Sequence, residues 1–125
     1  QMFAQAELLT FQNKYIEAIQ KLDSIKILFP EHSLDDDVLY TKAQIYKKQR
    51  RTAEMIEMYQ TIIEKYPEEI RADNAIFELA ELYETKLNEP EKAKVLYEKL
   101  FVDYSSSTFA VEARKRFRIL RGDEL

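Results

Sequence analysis

The sequence predicts an all-α protein built from stacked helix pairs. Three observations carry that prediction. The 125 residues include a single Gly. Apolar residues recur at helical spacing and no segment alternates like a strand. The whole pattern returns every 37 or 38 residues. One Gly nearly excludes hairpin-rich β folds, whose tight turns demand it. It also excludes phosphate-cradling loops, which need several.

The period is marked by Phe29-Pro30, Tyr66-Pro67 and Tyr104-Ser105. Twelve residues before the second residue of each marker stand Ala18, Met55 and Ala93. Eight before it stand Leu22, Tyr59 and Tyr97, and five before it Ile25, Ile62 and Leu100. Beyond the first two markers, at ten, thirteen and sixteen residues, come the pairs Tyr40 and Phe77, Ala43 and Ala80, and Tyr46 and Tyr83. Six coincident apolar or small columns at one period do not arise easily by chance.

Seven helices follow from this register, at about 2–12, 14–29, 34–49, 52–66, 70–87, 90–104 and 107–121, with ends uncertain by ~2–4 residues. The first carries Ala6 and Leu9. The second carries Ala18, Leu22 and Ile25 and is stopped by Pro30, because the residue before Pro is pushed out of the α region. The third opens on Asp35-Asp36-Asp37, where anions favour the positive end of the helix dipole, and carries Leu39, Ala43 and Tyr46. Lys48-Gln49-Arg50-Arg51 is a polar turn, and Thr52 is placed to cap the fourth helix. Met55, Tyr59, Ile62 and Tyr66 form its stripe before Pro67 ends it. Ile76, Ala80 and Tyr83 define the fifth helix. Asn88-Glu89-Pro90 turns the chain, with Pro90 in the first turn of the sixth. Ala93, Tyr97, Leu100 and Tyr104 are its stripe. Ser105 to Thr108 opens the last helix. Its buried side is Ala110, Ala113, Phe117 and Leu120, and Gly122 suits its C-cap.

Composition narrows the function. With 46% hydrophobic and 34% charged residues the chain is neither disordered nor membrane-spanning, and no apolar run approaches ~18 residues. No signal-peptide pattern is present, and Gln1 before Met2 reads as a tag remnant or the start of an excised fragment. With no Cys there are no disulfides, thiolate metal sites or cysteine nucleophiles. Residues 1–111 carry 14 cations and 20 anions, whereas residues 112–125 carry five and three. The acidic body repels nucleic acid, and only the last helix has the charge to attract it.

Catalysis finds no footing. His32 is the lone histidine and falls in a turn without partners, so a Ser/His/Asp arrangement has nothing to assemble from. No facing pair of carboxylates can be identified for glycoside chemistry. Asp35, Asp36 and Asp37 point about 100° apart around a helix and do not converge on one ion. No cofactor or metal is expected. The terminal Gly-Asp-Glu-Leu departs from a retention signal at its first residue.

The columns resemble the tetratricopeptide repeat (TPR) family. Ala43, Tyr46, Met55, Tyr59, Ile62 and Pro67 match the family's order of small, aromatic and closing Pro positions. Ala80, Tyr83, Ala93, Tyr97 and Leu100 repeat it, with one residue added in the turn and Ser105 in place of Pro. Ala6, Leu9, Ala18, Leu22, Ile25 and Pro30 make a shorter first unit. The family Trp is absent, its Gly is Ala in each unit, and Met55 fills a small-residue column. The resemblance implies a right-handed α-solenoid of antiparallel helix pairs. It would form one domain over 1–125, with units at about 1–32, 33–69 and 70–105 and a capping helix at about 107–121. The longer linkers Glu31-His32-Ser33 and Glu68-Glu69-Ile70 resemble those of bacterial envelope TPR proteins. Compartment otherwise stays open, between envelope and cytoplasm.

What the resemblance implies for function is a concave face made by the first helix of each pair. Carried onto this chain, that face holds Phe3, Glu7, Asp37, Tyr40, Gln44, Asn74, Phe77, Glu81 and Lys115. Tyr40 and Phe77 are the expected aromatic anchors, or else packing residues between neighbouring units. Gln44, Asn74, Glu81, Asp37 and Lys115 would orient the partner. Phe, Glu, Tyr and Gln stand where a carboxylate clamp would need Lys, Arg and Asn. The leading expectation is a non-catalytic scaffold for a protein or peptide, with no nucleic-acid partner and no membrane insertion. A second is the capped end of a longer array, used in assembly or self-association, which an exposed apolar patch on the first helix would favour. A third is a regulatory TPR domain appended to an enzyme. Arg114, Lys115, Arg116, Arg118 and Arg121 are expected to form the solvated side of the cap.

Overall fold

The computed structural model describes residues 2–28 and 35–123. Among them are seven α-helices and no strand. They are α1 (Met2–Phe11), α2 (Tyr15–Leu28), α3 (Asp35–Lys48), α4 (Thr52–Lys65), α5 (Ala72–Thr85), α6 (Pro90–Asp103) and α7 (Ala110–Arg121). Their order is the expected one, and with the repeats below they make an all-α helical-repeat protein. Pro30 and His32, to which the sequence assigns a helix stop and a turn, lie outside the described residues.

The chain forms two compact units, Gln1–Tyr66 and Pro67–Leu125. In the first, α1 packs on α2, α3 packs on α4, and α3 also meets α1 and α2. Ala6, Ala18, Leu22, Ile25, Val38 and Ile45 are its buried cluster, with Met2, Phe3, Leu9, Tyr15 and Ile19 packed around them. Ala43, Met55, Tyr59 and Ile62 are buried as well. In the second unit α6 packs on both α5 and α7. Ala93, Tyr97 and Leu100 of α6 and Ala110 and Ala113 of α7 are buried there, as are Ala75, Ile76, Leu79 and Ala80 of α5. Alanine at these columns lets helix axes approach closely, and the tyrosines fill the space beside them.

The helix-joining turns repeat too. Asn13, Arg50 and Asn88 sit at equivalent positions and all have positive φ, of 63°, 59° and 51°. After α1 and α3 the N–H groups of Lys14 and Arg51 reach back to the carbonyls of Leu9 and Tyr46, each at 2.8 Å. This five-residue return is the Schellman bond that closes a helix through a left-handed residue. After α5 the N–H of Glu89 reaches Tyr83, one residue further back. That is the extra residue that lengthens the second period to 38.

Two sequence expectations are corrected and one helix start is refined. Thr52 is the first residue of α4 rather than its cap, because Arg51 already accepts the N–H of Met55 and no side chain caps the helix. α7 begins at Ala110 and not at 107: the N–H of Ala110 turns back to Ser107, and residues 105–109 form turns. Phe117 and Leu120 are only half-buried, so the deep part of α7 is Ala110 and Ala113. Gly122 does close α7, with φ of 94° and its N–H on Ile119.

Candidate partner-binding site

Asp37, Tyr40 and Gln44 lie on one stripe of α3, three and four residues apart. Each is partly exposed. The Tyr40 ring lies 6.4 Å from that of Tyr59, tilted by 51°. Gln44 donates its side-chain N–H to the Tyr59 hydroxyl at 3.0 Å. The stripe is thus held against α4, the second helix of its pair. At its head, Asp35 accepts bonds from Lys26 (2.7 Å) and from the Tyr66 hydroxyl (3.1 Å). The bond to Asp35 holds the Lys26 ammonium above its ordinary range. Burial, and then the bond to Asp35, push the Tyr66 phenol upward. Asp36 is 2% exposed. Asp35 and Asp36 are therefore engaged within the fold at the start of α3. No group of three candidate metal ligands occurs among the described residues.

Asn74, Phe77 and Glu81 form the corresponding stripe of α5. Phe77 stacks on Phe109 at 4.7 Å and meets Tyr97 edge-on at 5.9 Å. Its ring is half-buried, while Glu81 is exposed. Asp73 orders this region. It accepts the N–H of Asn74 at 2.9 Å and the hydroxyl of Ser107 at 2.6 Å. Ser107 in turn accepts the N–H of Phe109 at 3.1 Å. That chain of bonds sets the ring on which Phe77 stacks.

Lys115 is exposed on α7 and makes no ion pair among the described residues. The cation that reaches α5 is Arg116, which donates Nε to Glu84 Oε1 at 3.2 Å and Nη2 to Oε2. Glu84 Oε1 also accepts the Tyr97 hydroxyl at 2.7 Å. One carboxylate therefore ties α5, α6 and α7. Burial, then the charges of Glu81 and Glu112, hold the Tyr97 phenol well above its ordinary range, so it keeps the proton that it donates to Glu84. Sequence reasoning missed Glu84, because its repeat counterpart is Lys47 and the column carries no periodic signal. It also placed Arg116 on the solvated side.

The opposite flank of α7 faces α6. Phe101 and Phe117 meet edge-on at 5.4 Å. Arg114 lies over Phe101 at 5.5 Å and Arg121 over Phe117 at 5.2 Å. With Glu98, Arg118 and Asp123 these residues line a groove. Phe101 carried no signal beyond being an apolar residue outside the repeat columns.

The tetratricopeptide repeat model matches residues 37–69 and 74–107, just over half of the chain. The chain belongs to the tetratricopeptide repeat family. The first matched TPR covers α3 and α4 from Asp37 onward, and the second covers α5 and α6 from Asn74 onward. The two stripes therefore sit at the same register on the first helix of each TPR, with Tyr59 and Tyr97 at the same register on the second. TPR units are in general non-catalytic modules of protein–protein interaction. The match is to TPR proteins at large and gives no support to the envelope likeness of the linkers. A search of curated proteins finds no match. No helix among the described residues is long and apolar enough to cross a membrane.

Proposed function

We propose that this chain is a scaffold that holds a protein or peptide partner along the first helices of its TPR units. Asp37, Tyr40 and Gln44 would serve in one unit and Asn74, Phe77 and Glu81 in the other, with Lys115 contributed by α7. One observation carries the reading: two successive TPR units present a partly exposed aromatic at one register, flanked by polar side chains at matching positions. Aromatic anchors with polar neighbours are the usual composition of an interface centre. Part of each ring is already used within its own unit, so the anchors are pre-organised and cost little entropy on binding.

The test is capture of partners from source-cell extract with three baits: the wild type, Tyr40→Ala/Phe77→Ala, and Asp37→Lys/Glu81→Lys. Circular dichroism checks that each is folded. The expected outcome is one partner set on the wild type that both double variants lose. Equal capture by wild type and the charge-reversed bait would move the site elsewhere.

A second reading, an end module of a longer array or a self-associating unit, is favoured by α1. Leu8 is 55% and Phe11 83% exposed on that helix, and both lie on one stripe with Ala4. Repeat units bury such faces by stacking. On this reading light scattering shows a mass that falls to that of one chain in Leu8→Glu/Phe11→Glu. An unchanged single-chain mass in both proteins would remove self-association.

A further inference from the structure

The groove between α6 and α7 lies on the flank of α7 opposite Arg116, away from the stripes proposed above. Its cations are arginines alone, and Arg114, Arg118 and Arg121 are spaced four and three residues apart on one stripe. Two of them lie over rings, which restricts their side chains and reduces the entropy lost when a carboxylate binds. The groove already shows what it holds. Asp123 accepts from Arg118 Nε at 3.5 Å, from Arg121 Nε at 3.0 Å and from Arg121 Nη2. These bonds hold its carboxyl below the usual carboxylate range. Gly122 makes the contact by reversing the chain, so that the N–H of Asp123 returns to Arg118 at 2.9 Å. Arg114 makes no ion pair among the described residues.

We propose that this groove binds an acidic peptide segment of a partner protein, and that Asp123 is an internal stand-in which the partner's carboxylate displaces. One ligand carboxylate takes the place of Asp123 on Arg118 and Arg121. A second meets Arg114. Seven residues of helix separate Arg114 from Arg121, about 10 Å along the axis. A peptide in the polyproline II conformation rises about 3.1 Å per residue and returns to the same face every third residue, so side chains three apart span about 9 Å on one side. The matching ligand therefore has two acidic residues three apart, with an apolar side chain between them set on Phe101 and Phe117. A peptide is favoured over nucleic acid by charge. Glu98 lines the groove and residues 1–111 carry 20 anions against 14 cations, so a long polyanion meets repulsion where a short segment does not.

The test uses the whole chain and fluorescence anisotropy. The probe is a labelled ten-residue peptide with Glu at positions four and seven and Leu at position five. Its Gln-for-Glu version and a single-stranded oligonucleotide serve as comparisons. The acidic peptide is expected to bind and the Gln peptide not. Arg114→Ala/Arg118→Ala should weaken binding by about tenfold, and Asp123→Asn should tighten it by about threefold, with helicity unchanged. No binding, equal binding of the two peptides, or weaker binding by Asp123→Asn overturns the proposal. Preferential binding of the oligonucleotide overturns it in favour of a nucleic-acid site. Asp37→Lys/Glu81→Lys should leave the peptide affinity unchanged. Failure here is thus separable from failure of the first-helix scaffold.

Discussion

Arg50 holds a backbone conformation that costs an L residue ~1 kcal/mol or more, with φ of 59°. The equivalent turns use Asn13 and Asn88, and Asn tolerates the left-handed region better. Arg50→Gly should therefore stabilise the chain by about 1 kcal/mol, despite the greater freedom it gives the unfolded state. The measurement is a urea midpoint that rises at unchanged slope. Gly122 is the converse case. A Cβ there would meet no atom within 4 Å, yet φ is 94°. Any loss in Gly122→Ala comes from the backbone alone.

At the scale of the element, the helices are matched by column. Ala18 and Ala93 occupy the same column and are both fully buried. A larger side chain at Ala93 must push α6 away from its neighbours, since packed interiors do not yield without shifting backbone. Ala93→Leu is expected to cost about 2 kcal/mol. Ala53→Leu, on the exposed side of α4, should change stability by no more than about 0.5 kcal/mol. Parallel thermal and urea melts separate the two outcomes. A neutral Ala93→Leu would mean that the crossing is loose enough to absorb the extra volume.

At the scale of the whole molecule, the tyrosines link stability to pH. Burial raises Tyr66, Tyr97 and Tyr104 above their ordinary range, and a bond to Asp35 raises Lys26. A group raised in the folded state keeps its proton after the unfolded chain has lost its own. Its contribution is complete below the unfolded value of about 10 and is lost as pH climbs through the folded one. Stability from these groups should be flat between pH 7 and 9 and fall above about pH 10. Urea melts across that range test the sign. Phenolate absorbance supplies a second readout: the part of it owed to Tyr66, Tyr97 and Tyr104 should rise above the ordinary phenol range. Tyr97→Phe should make the alkaline fall shallower.

The sequence by itself determined the helix count, the period and the turns after α3 and α5, because those follow from local spacing and from residues that stop or reverse a helix. Ala18, Tyr59, Ile62 and Pro67 could be assigned from their columns alone, and the structure leaves the first three buried. It also determined the matching register of Tyr40 and Phe77, because a repeat copies positions. The tertiary structure decided whatever depends on which side chains meet across helices. Glu84 joins Tyr97 to Arg116 over gaps of 13 and 32 residues, and Asp73 meets Ser107 across 34. Glu84, Arg116 and Ser107 fall outside the periodic columns. Their bonds depend on where one helix face comes to lie on another, and that is set by packing rather than by spacing along the chain. The same reason divides the arginines of α7, which read as one basic run in the sequence. In the structure the two flanks of a single helix face different neighbours, so Arg116 turns to a carboxylate on α5 while Arg114 and Arg121 lie over rings along α6 and α7.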